Sequence, residues 1–144
     1  MKIKRVQLLR YGKVIAHNES RTDTSNSVTG YFLHSDEINL VEQTDILKGS
    51  IGLSFGIEYY LEGYDSEVKY EEARFTCRII HPQIRNPDTG VSVTETTEVK
   101  YNYLNENNHD YFTMEYDYEV RQGTWTFEII ENSTVLLRKS FTII

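Results

Sequence analysis

The sequence predicts an all-β protein, folded as an antiparallel β-sandwich of about seven strands. Apolar and polar residues alternate along several segments of strand length, and clusters of Gly, Pro, Asn and Asp separate these segments. Hydrophobic residues make up 39% of the chain, and tyrosine, phenylalanine and β-branched types are frequent among them. These residue types suit a half-buried pleated sheet. A length of 144 residues fits one core, so residues 1–144 are predicted to form a single β-sandwich domain.

The clearest strand pair lies at the C-terminus. Trp125, Phe127 and Ile129 fall on one face of an extended segment, because successive side chains of a strand point to opposite faces. Residues 132–134 are polar and supply a turn, after which an alternating apolar face returns along the last segment. The members of that returning face are Val135, Leu137, Phe141 and Ile143. The pattern predicts a C-terminal β-hairpin.

The remaining predicted strands alternate in the same way. They cover residues 3–16, 53–62, 73–80, 91–103 and 112–120. Gly12 predicts a bulge in the first of them, and Pro82, which has no backbone donor, predicts the end of the third. In the fourth, Val99, Tyr101 and Tyr103 share one face, and period-two placement turns ring and aliphatic groups toward the core.

Two segments are too polar to be assigned to the core. Residues 17–30 are almost wholly polar and cannot bury enough surface to offset their ordering entropy, so they are predicted to form a mobile loop. Residues 104–110 are predicted to form a second polar loop. Between them in the chain, the short apolar runs at 31–33 and 38–40 fit either an edge strand or a turn of helix.

Charge and composition exclude several classes of partner. The net charge is −7 and no stripe of Lys or Arg interrupts it, so nucleic acid is not an expected partner. No segment approaches the about 20 apolar residues needed to span a bilayer, and no signal peptide is visible. The single cysteine, Cys77, excludes an internal disulfide, and the default expectation for the compartment is the cytoplasm.

Several motifs occur in a characteristic order along the last 100 residues. They are Gly56–Gly63 (GIEYYLEG), His81-Pro82 with Asn86–Gly90 (NPDTG), Gly123–Ile129 (GTWTFEI) and Lys139–Ile143 (KSFTI). In that order they resemble a small bacterial family known only as a domain of unknown function, over roughly residues 45 to 144. The resemblance implies an immunoglobulin-like β-sandwich of bacterial origin, and it implies no activity.

None of the candidate reactive groups predicts catalysis. Cys77 lies between Phe75 and Ile79 on an apolar face, where a free thiol behaves as a small hydrophobe. The four histidines show no metal-binding spacing, and no phosphate loop or nucleophile elbow is present. The protein is therefore predicted not to be an enzyme and to need no cofactor, although an enzyme with an unrecognised site stays an alternative.

Clustered acidic and amide side chains leave one metal ion open as an alternative. Residues 65–72 and 105–110 hold groups of Asp, Glu and Asn, whose oxygens are the ligands that calcium takes. The spacing lacks the glycine and the fixed bidentate glutamate of a calcium loop, and the same residues commonly serve turns. Solvated loops are the first interpretation and calcium the second.

Outward tyrosines beside carboxylates form the candidate binding surface. Its members are Tyr60, Glu58, Glu62, Tyr111 and Glu115. A tyrosine presents an apolar ring and a wet hydroxyl, which suits contact with a protein or a sugar. The sequence therefore predicts a non-catalytic binding or protein-interaction module, with carbohydrate recognition as the alternative. The partner is an unidentified protein or glycan, and the oligomeric state is not indicated.

Overall fold

A four-stranded sheet and a five-stranded sheet pack face to face in a computed structural model that describes residues 1–17 and 19–144. The first sheet has the order β4-β1-β6-β9, with strands Glu37–Glu42, Ile3–His17, Ser54–Gly63 and Glu106–Thr113. The second has the order β5-β11-β10-β7-β8, with strands Ile46–Leu47, Thr134–Ile143, Gly123–Glu131, Glu72–Arg85 and Ser92–Tyr103. A separate hairpin pairs β2 (Ser20–Asp23) with β3 (Tyr31–His34).

This architecture confirms the predicted antiparallel β-sandwich. Among the described pairings, only the short β5 runs parallel to its neighbour, β11. The strands outnumber the seven predicted, because the undecided apolar runs at 31–33 and 38–40 lie in β3 and β4 and because β2 and β5 are too short to show a period. None of the helical segments in the described part of the chain has the length and apolarity to cross a membrane.

Aromatic rings fill the space between the two sheets. Phe55 on β6 makes edge-to-face contacts with Trp125, Phe127 and Phe141 of the opposite sheet, at centroid distances of 5.6, 5.8 and 5.3 Å. Pairs of this geometry add to the free energy gained by burial. The predicted C-terminal hairpin is thus confirmed, and its rings form the centre of the core.

The turn of that hairpin explains its register. Asn132 and Ser133 have φ values of 48° and 66°, so both central residues are left-handed. Two such residues make a type I′ turn, whose twist matches that of the flanking strands. The polar residues at 132–134 therefore determine how β10 and β11 align.

The strand containing His81 and Pro82 is longer than predicted. β7 continues to Arg85, and its pairing with β8 shifts register between Ile80 and Ile84. Proline is tolerated in a sheet at such a bulge because the missing N–H falls where the ladder is already interrupted. The prediction that Pro82 ends the strand is wrong.

The predicted loop at 104–110 is also wrong, since it contains most of a strand. Leu104 and Asn105 form a tight turn after β8, and Asn105 is left-handed with φ 59°. Its side-chain oxygen accepts a hydrogen bond from the Gly63 amide at 2.9 Å, which fixes the turn against β6. The following polar residues pair with β6 as an edge strand, and edge strands favour polar side chains.

The predicted strand at 112–120 ends early. β9 stops at Thr113, and residues Asp117–Glu119 form a 3₁₀ turn. The Glu119 carboxylate accepts hydrogen bonds from the amides of Glu115 and Tyr116, at 2.9 and 3.1 Å, and so holds the turn closed. The alternation at 112–120 was misleading because the chain here crosses from one sheet to the other.

The predicted loop at 17–30 contains ordered pairing. β2 lies within it and pairs with β3, and Val28 is buried in the core with 3% of its surface exposed. The pairing of β2 with β3 and the burial of Val28 hold this segment in place. The polar composition alone gave no sign of either interaction. The mobility predicted for this segment stays a prediction, and Asn18 lies outside the described residues.

Candidate functional site

A cleft of about 370 Å³ opens where the two sheets come apart. β8 is the last strand of one sheet and β9 the last strand of the other, and the chain passes from one to the other through the turn at 104–105. The edges of the two strands face each other without pairing, and the segment from Ser27 to Asp36, which includes β3, covers the gap. The volume is within the usual range for a small-molecule site.

The floor of the cleft is a chain of buried polar groups. Lys100 on β8 donates a hydrogen bond to Asp110 on β9 at 2.7 Å and a second to the His109 carbonyl at 3.2 Å. The other Asp110 oxygen accepts from the Tyr59 hydroxyl at 2.5 Å. Tyr59 is fully buried and Asp110 is 8% exposed, so the chain runs from the core to the cleft.

Burial and mutual charge set the protonation of this floor. Burial raises the pKa of Tyr59 well above its ordinary value, and the neighbouring Asp110 carboxylate adds to the effect. Burial alone would lower the pKa of Lys100, but Asp110 outweighs it and the pKa is raised. Lys100 is therefore a permanent cation whose charge Asp110 balances.

One wall of the cleft carries a carboxyl group, that of Glu98, whose charge no lysine or arginine of the described residues compensates by direct contact. Glu98 on β8 lies 3.4 Å from His34 on β3, measured from carboxyl oxygen to ring nitrogen. Burial raises the pKa of Glu98 to about 7, with Lys100 opposing the shift and Asp110 adding to it. Burial and the Lys100 charge lower the pKa of His34. Near neutral pH, Glu98 is thus partly ionised beside an uncharged imidazole.

Cys77 on β7 lies directly opposite Glu98 on the adjacent strand β8, and it also lines the cleft. The side chain is buried, as predicted, and burial raises the pKa of its thiol well above the ordinary value, with Asp110 adding to the shift. A nucleophilic cysteine needs a lowered pKa and an accessible sulfur. The geometry therefore favours a thiol that shapes the wall of the cleft.

Side-chain hydrogen bonds attach the covering segment and the adjoining β2 to the rest of the sandwich. Tyr31 donates to Glu115 at 2.9 Å, and Tyr111 donates at 2.9 Å to Glu19, which directly precedes β2. The His109 ring lies 3.0 Å from the Ser35 carbonyl, so the segment is tied down at several separate points. Burial and the hydrogen bonds to carboxylates raise the pKa of both tyrosines.

The structure divides the predicted binding surface in two. Tyr111 and Glu115 line the cleft and hold its cover. The other three residues lie on the outer face of the four-stranded sheet, on β6. There Glu58 pairs with Arg10, Glu62 pairs with Arg5 at 2.7 Å, and Tyr60 is half-buried between them.

Lys100 and Glu98 were missed because the two faces of β8 are reversed, and Asp110 was missed because its strand, β9, was predicted to be a loop. Val99 and Tyr101, predicted to face the core, are 47% and 60% exposed on the outer face of the sheet. The alternate residues of β8 point toward the cleft, and they are Thr96, Glu98, Lys100 and Asn102. One signal in the sequence could have indicated the cleft. Polar residues occupy every second position from Thr96 to Asn102, and a polar face on a strand whose other face is also exposed points to a polar cavity.

The acidic clusters considered for calcium have other roles. Asp65 accepts a hydrogen bond from the Glu67 amide at 3.0 Å, a local turn interaction. Within the described residues, no three His, Cys, Asp or Glu side chains converge as a metal site.

Comparisons with known proteins support the fold and its family. The structure is similar to the 1.50 Å crystal structure of an immunoglobulin-like protein from Pseudomonas aeruginosa, with a TM-score of 0.65, 19% sequence identity and coverage of 96% of each chain. At this identity the likeness shows a shared fold. No curated protein matches the sequence significantly. The family model of a domain of unknown function (DUF3859) matches residues 3–143. The chain therefore belongs to this family, as the order of its motifs predicted.

Proposed function

We propose that the protein is a non-catalytic binding module and that its site is the cleft between β8 and β9. The observation that carries the proposal is a ligand-sized opening of about 370 Å³ with polar groups and aromatic rings on its walls. Such mixed lining is typical of pockets that orient a small molecule. The ligand would enter between the sheet edges and contact Glu98, Lys100 and the covering segment.

The state of the reactive groups favours binding over catalysis. Cys77 has a raised pKa, and Lys100 is held as a cation by Asp110, so neither is prepared as a nucleophile. Two histidines line the cleft. His34 has only Glu98 within ion-pair distance among the described residues, and the His109 ring nitrogen lies 3.0 Å from the Ser35 carbonyl. The Ser35 hydroxyl lies 3.5 Å from the same His109 nitrogen, too far for the short hydrogen bond that a nucleophile and its base form.

A blocked cleft tests the proposal. Asn102 lines the cleft from β8, whereas Thr97 on the same strand pairs with Arg78 and lies on the outer face. A panel of small polar and aromatic fragments is screened against the wild type by thermal shift and by ligand-observed NMR. We expect Asn102→Trp to abolish the binding found and Thr97→Trp to retain it. A panel without any binder, or binding that survives Asn102→Trp, contradicts the proposal.

A second candidate is a glycan-binding surface on the outer face of β8. Tyr70, Tyr101 and Tyr103 are exposed there, and the rings of Tyr70 and Tyr103 lie 5.9 Å apart at right angles. Exposed rings of this kind can contact the apolar face of a sugar. These tyrosines differ from the ones predicted from sequence.

The glycan candidate has its own matched test. Tyr101→Ser removes a ring from the outer face of β8, and Tyr64→Ser removes an equally exposed ring in the loop after β6. Glycan titrations followed by tyrosine fluorescence should lose their response in the first variant alone. A response that is absent from the wild type removes this candidate.

A further inference from the structure

We infer that the cleft selects a small organic cation, an ammonium or guanidinium group on an apolar body, with Glu98 as its counter-ion. This inference rests on the proposed function of the cleft and specifies the chemistry of its ligand. It follows from the charge balance of the walls, the position of Glu98 and the rings beside it.

The cleft has an excess of negative groups. Five carboxyl side chains line it, and they are Asp36, Glu98, Asp110, Glu115 and Glu119. Among the described residues of the lining, one lysine and no arginine oppose them. Lys100 is committed to Asp110 at 2.7 Å, so its charge is already compensated. Burial raises the pKa of both Glu98 and Glu119 to about 7, so these two groups carry part of their charge at neutral pH. The remaining negative charge still favours a cation over an anion in the cleft.

Three of the other lining carboxyl groups, on Asp110, Glu115 and Glu119, have hydrogen-bond donors, and the fourth, on Asp36, belongs to an exposed residue. Glu119 accepts hydrogen bonds from two backbone amides, and Glu115 accepts one from the Tyr31 hydroxyl. In the described structure, one ionisable group of opposite type lies within 4 Å of the Glu98 carboxyl group, the His34 ring at 3.4 Å, and none of the described residues donates a hydrogen bond to Glu98. The Glu98 side chain keeps 20% of its surface exposed, so it is half-buried and can be reached from the cleft. A carboxylate in this position gains from a cation that approaches through the cleft.

Aromatic rings stand where the body of such a ligand would lie. Phe32, Tyr111 and Phe112 contribute to the cleft walls together with Tyr31. A guanidinium already stacks in this region, since the Arg21 carbon lies 3.6 Å from the centroid of the Tyr31 ring. Rings attract cations through their faces and also cover apolar surface. A cation attached to an apolar or aromatic body matches both features.

Binding should displace protons from the cleft. A cation beside Glu98 favours its ionised form, so binding near pH 7 releases part of a proton. The groups that face Glu98 are His34 on β3, Lys100 on the same strand, Asp110 on β9 and Cys77 on β7. Since Lys100 and Asp110 stay paired, Cys77 stays protonated and the His34 imidazole is already uncharged, the proton released would come from Glu98.

Matched ligands that differ only in charge test the inference. Tyramine carries an ammonium, tyrosol a hydroxyl and 4-hydroxyphenylpropionate a carboxylate at the same position of one scaffold. Each is titrated into the full chain at pH 7, together with further matched sets from a fragment panel. We expect the ammonium members to bind at least about tenfold more tightly than the neutral members, and the carboxylates not to bind. Calorimetry in two buffers of different ionisation enthalpy should show proton release.

Variants connect the selectivity to Glu98. Glu98→Gln should reduce the ammonium preference to about threefold or less, whereas Glu58→Gln, on the outer face beside Arg10, should leave it intact. Neutral or anionic members that bind in the cleft as well as the ammonium members overturn the cation inference and leave the binding function standing. If no member of the ligand sets, whatever its charge, binds in the cleft, both the cation inference and the proposed binding function are overturned.

Discussion

The Lys100 ammonium lies 2.7 Å from the Asp110 carboxylate and joins the last strand of one sheet to the last strand of the other. The pair therefore does more than balance charge at the floor of the cleft. It fixes the separation of β8 and β9 at a place where no backbone pairing does so. The width of the cleft depends on this contact.

Removal of the lysine should be costly. In Lys100→Met the Asp110 carboxylate stays buried without a cation, and loss of one partner of a buried pair is strongly destabilising. We expect the free energy of unfolding to fall by about 3 kcal/mol. Urea denaturation of the wild type and the variant measures this change.

The matched control is Lys139→Met. Lys139 pairs with Asp45 at 3.1 Å, but the Asp45 side chain is half exposed, so its loss should cost below about 1 kcal/mol. Equal effects of the two substitutions would mean that the Lys100–Asp110 contact does not hold the sheets together.

Glu98 should make the protein less stable as the pH rises. Its pKa is about 7 in the folded state against 4.5 for the free group, so the folded state binds more protons between these values. Stability from this group is complete below about pH 4.5 and is lost as the pH approaches 7. Glu98→Gln should therefore be more stable than the wild type by about 1–3 kcal/mol at pH 8 and nearly equal at pH 4.5.

Thermal unfolding at a series of pH values checks this dependence. Glu58→Gln serves as the control because Glu58 lies outside the cleft, and it should follow the wild-type curve. A Glu98→Gln variant that parallels the wild type from pH 4.5 to 8 would show that Glu98 is ordinarily solvated.

Close approach of β6 and β9 makes Gly56 intolerant of any side chain. A Cβ atom at this position would lie 2.1 Å from the Asp110 carbonyl oxygen and 2.7 Å from the Tyr111 Cα. Both atoms belong to backbone, which cannot move aside without opening the pairing that positions the cleft wall. Gly56→Ala should cost about 3 kcal/mol, as measured by denaturation.

Gly63 lies on the same strand and provides the comparison. Its nearest neighbour to an added Cβ would be a Leu104 methyl group at 3.4 Å, an ordinary contact. Gly63→Ala should cost below about 1 kcal/mol. Equal stability of the two alanine variants would show that the backbones of β6 and β9 are farther apart at Gly56 than they are in this structure.

The turn between β10 and β11 offers a stabilising change. Ser133 has φ 66°, a left-handed conformation that costs an L-residue energy and glycine very little. Ser133→Gly should raise the free energy of unfolding by about 0.5–1 kcal/mol, and Ser133→Val should lower it. A lower melting temperature for the glycine variant would rule out the type I′ turn.

Local features of this fold could be predicted from the sequence. The β10–β11 hairpin is determined by nearby residues, since its turn and the alternation around Trp125 and Phe127 all lie between Gly123 and Ile143. The order of the motifs likewise identified the family. The alternation of apolar and polar residues in a strand can be recognised within one short segment, without information about the segments it pairs with.

Features that depend on distant partners could not be predicted. Glu128 lies on the polar face of β10 yet has no exposed surface, because Arg78 and Arg138 on the two adjacent strands cover it at 2.8 and 2.7 Å. Lys100 and Asp110 are ten residues apart, but only the passage of the chain from one sheet to the other brings them together. Such contacts follow from topology, which a single sequence does not specify.

The most direct test of the account is amide-resolved NMR of the isotope-labelled chain during titration with tyramine at pH 7. If the cleft binds a cation through Glu98, saturable shifts should concentrate on Glu98, Lys100, Asp110 and the covering segment around His34, and they should weaken in Glu98→Gln. Shifts confined to the outer face around Tyr101, or no saturable shift with any member of the ligand set, would contradict it.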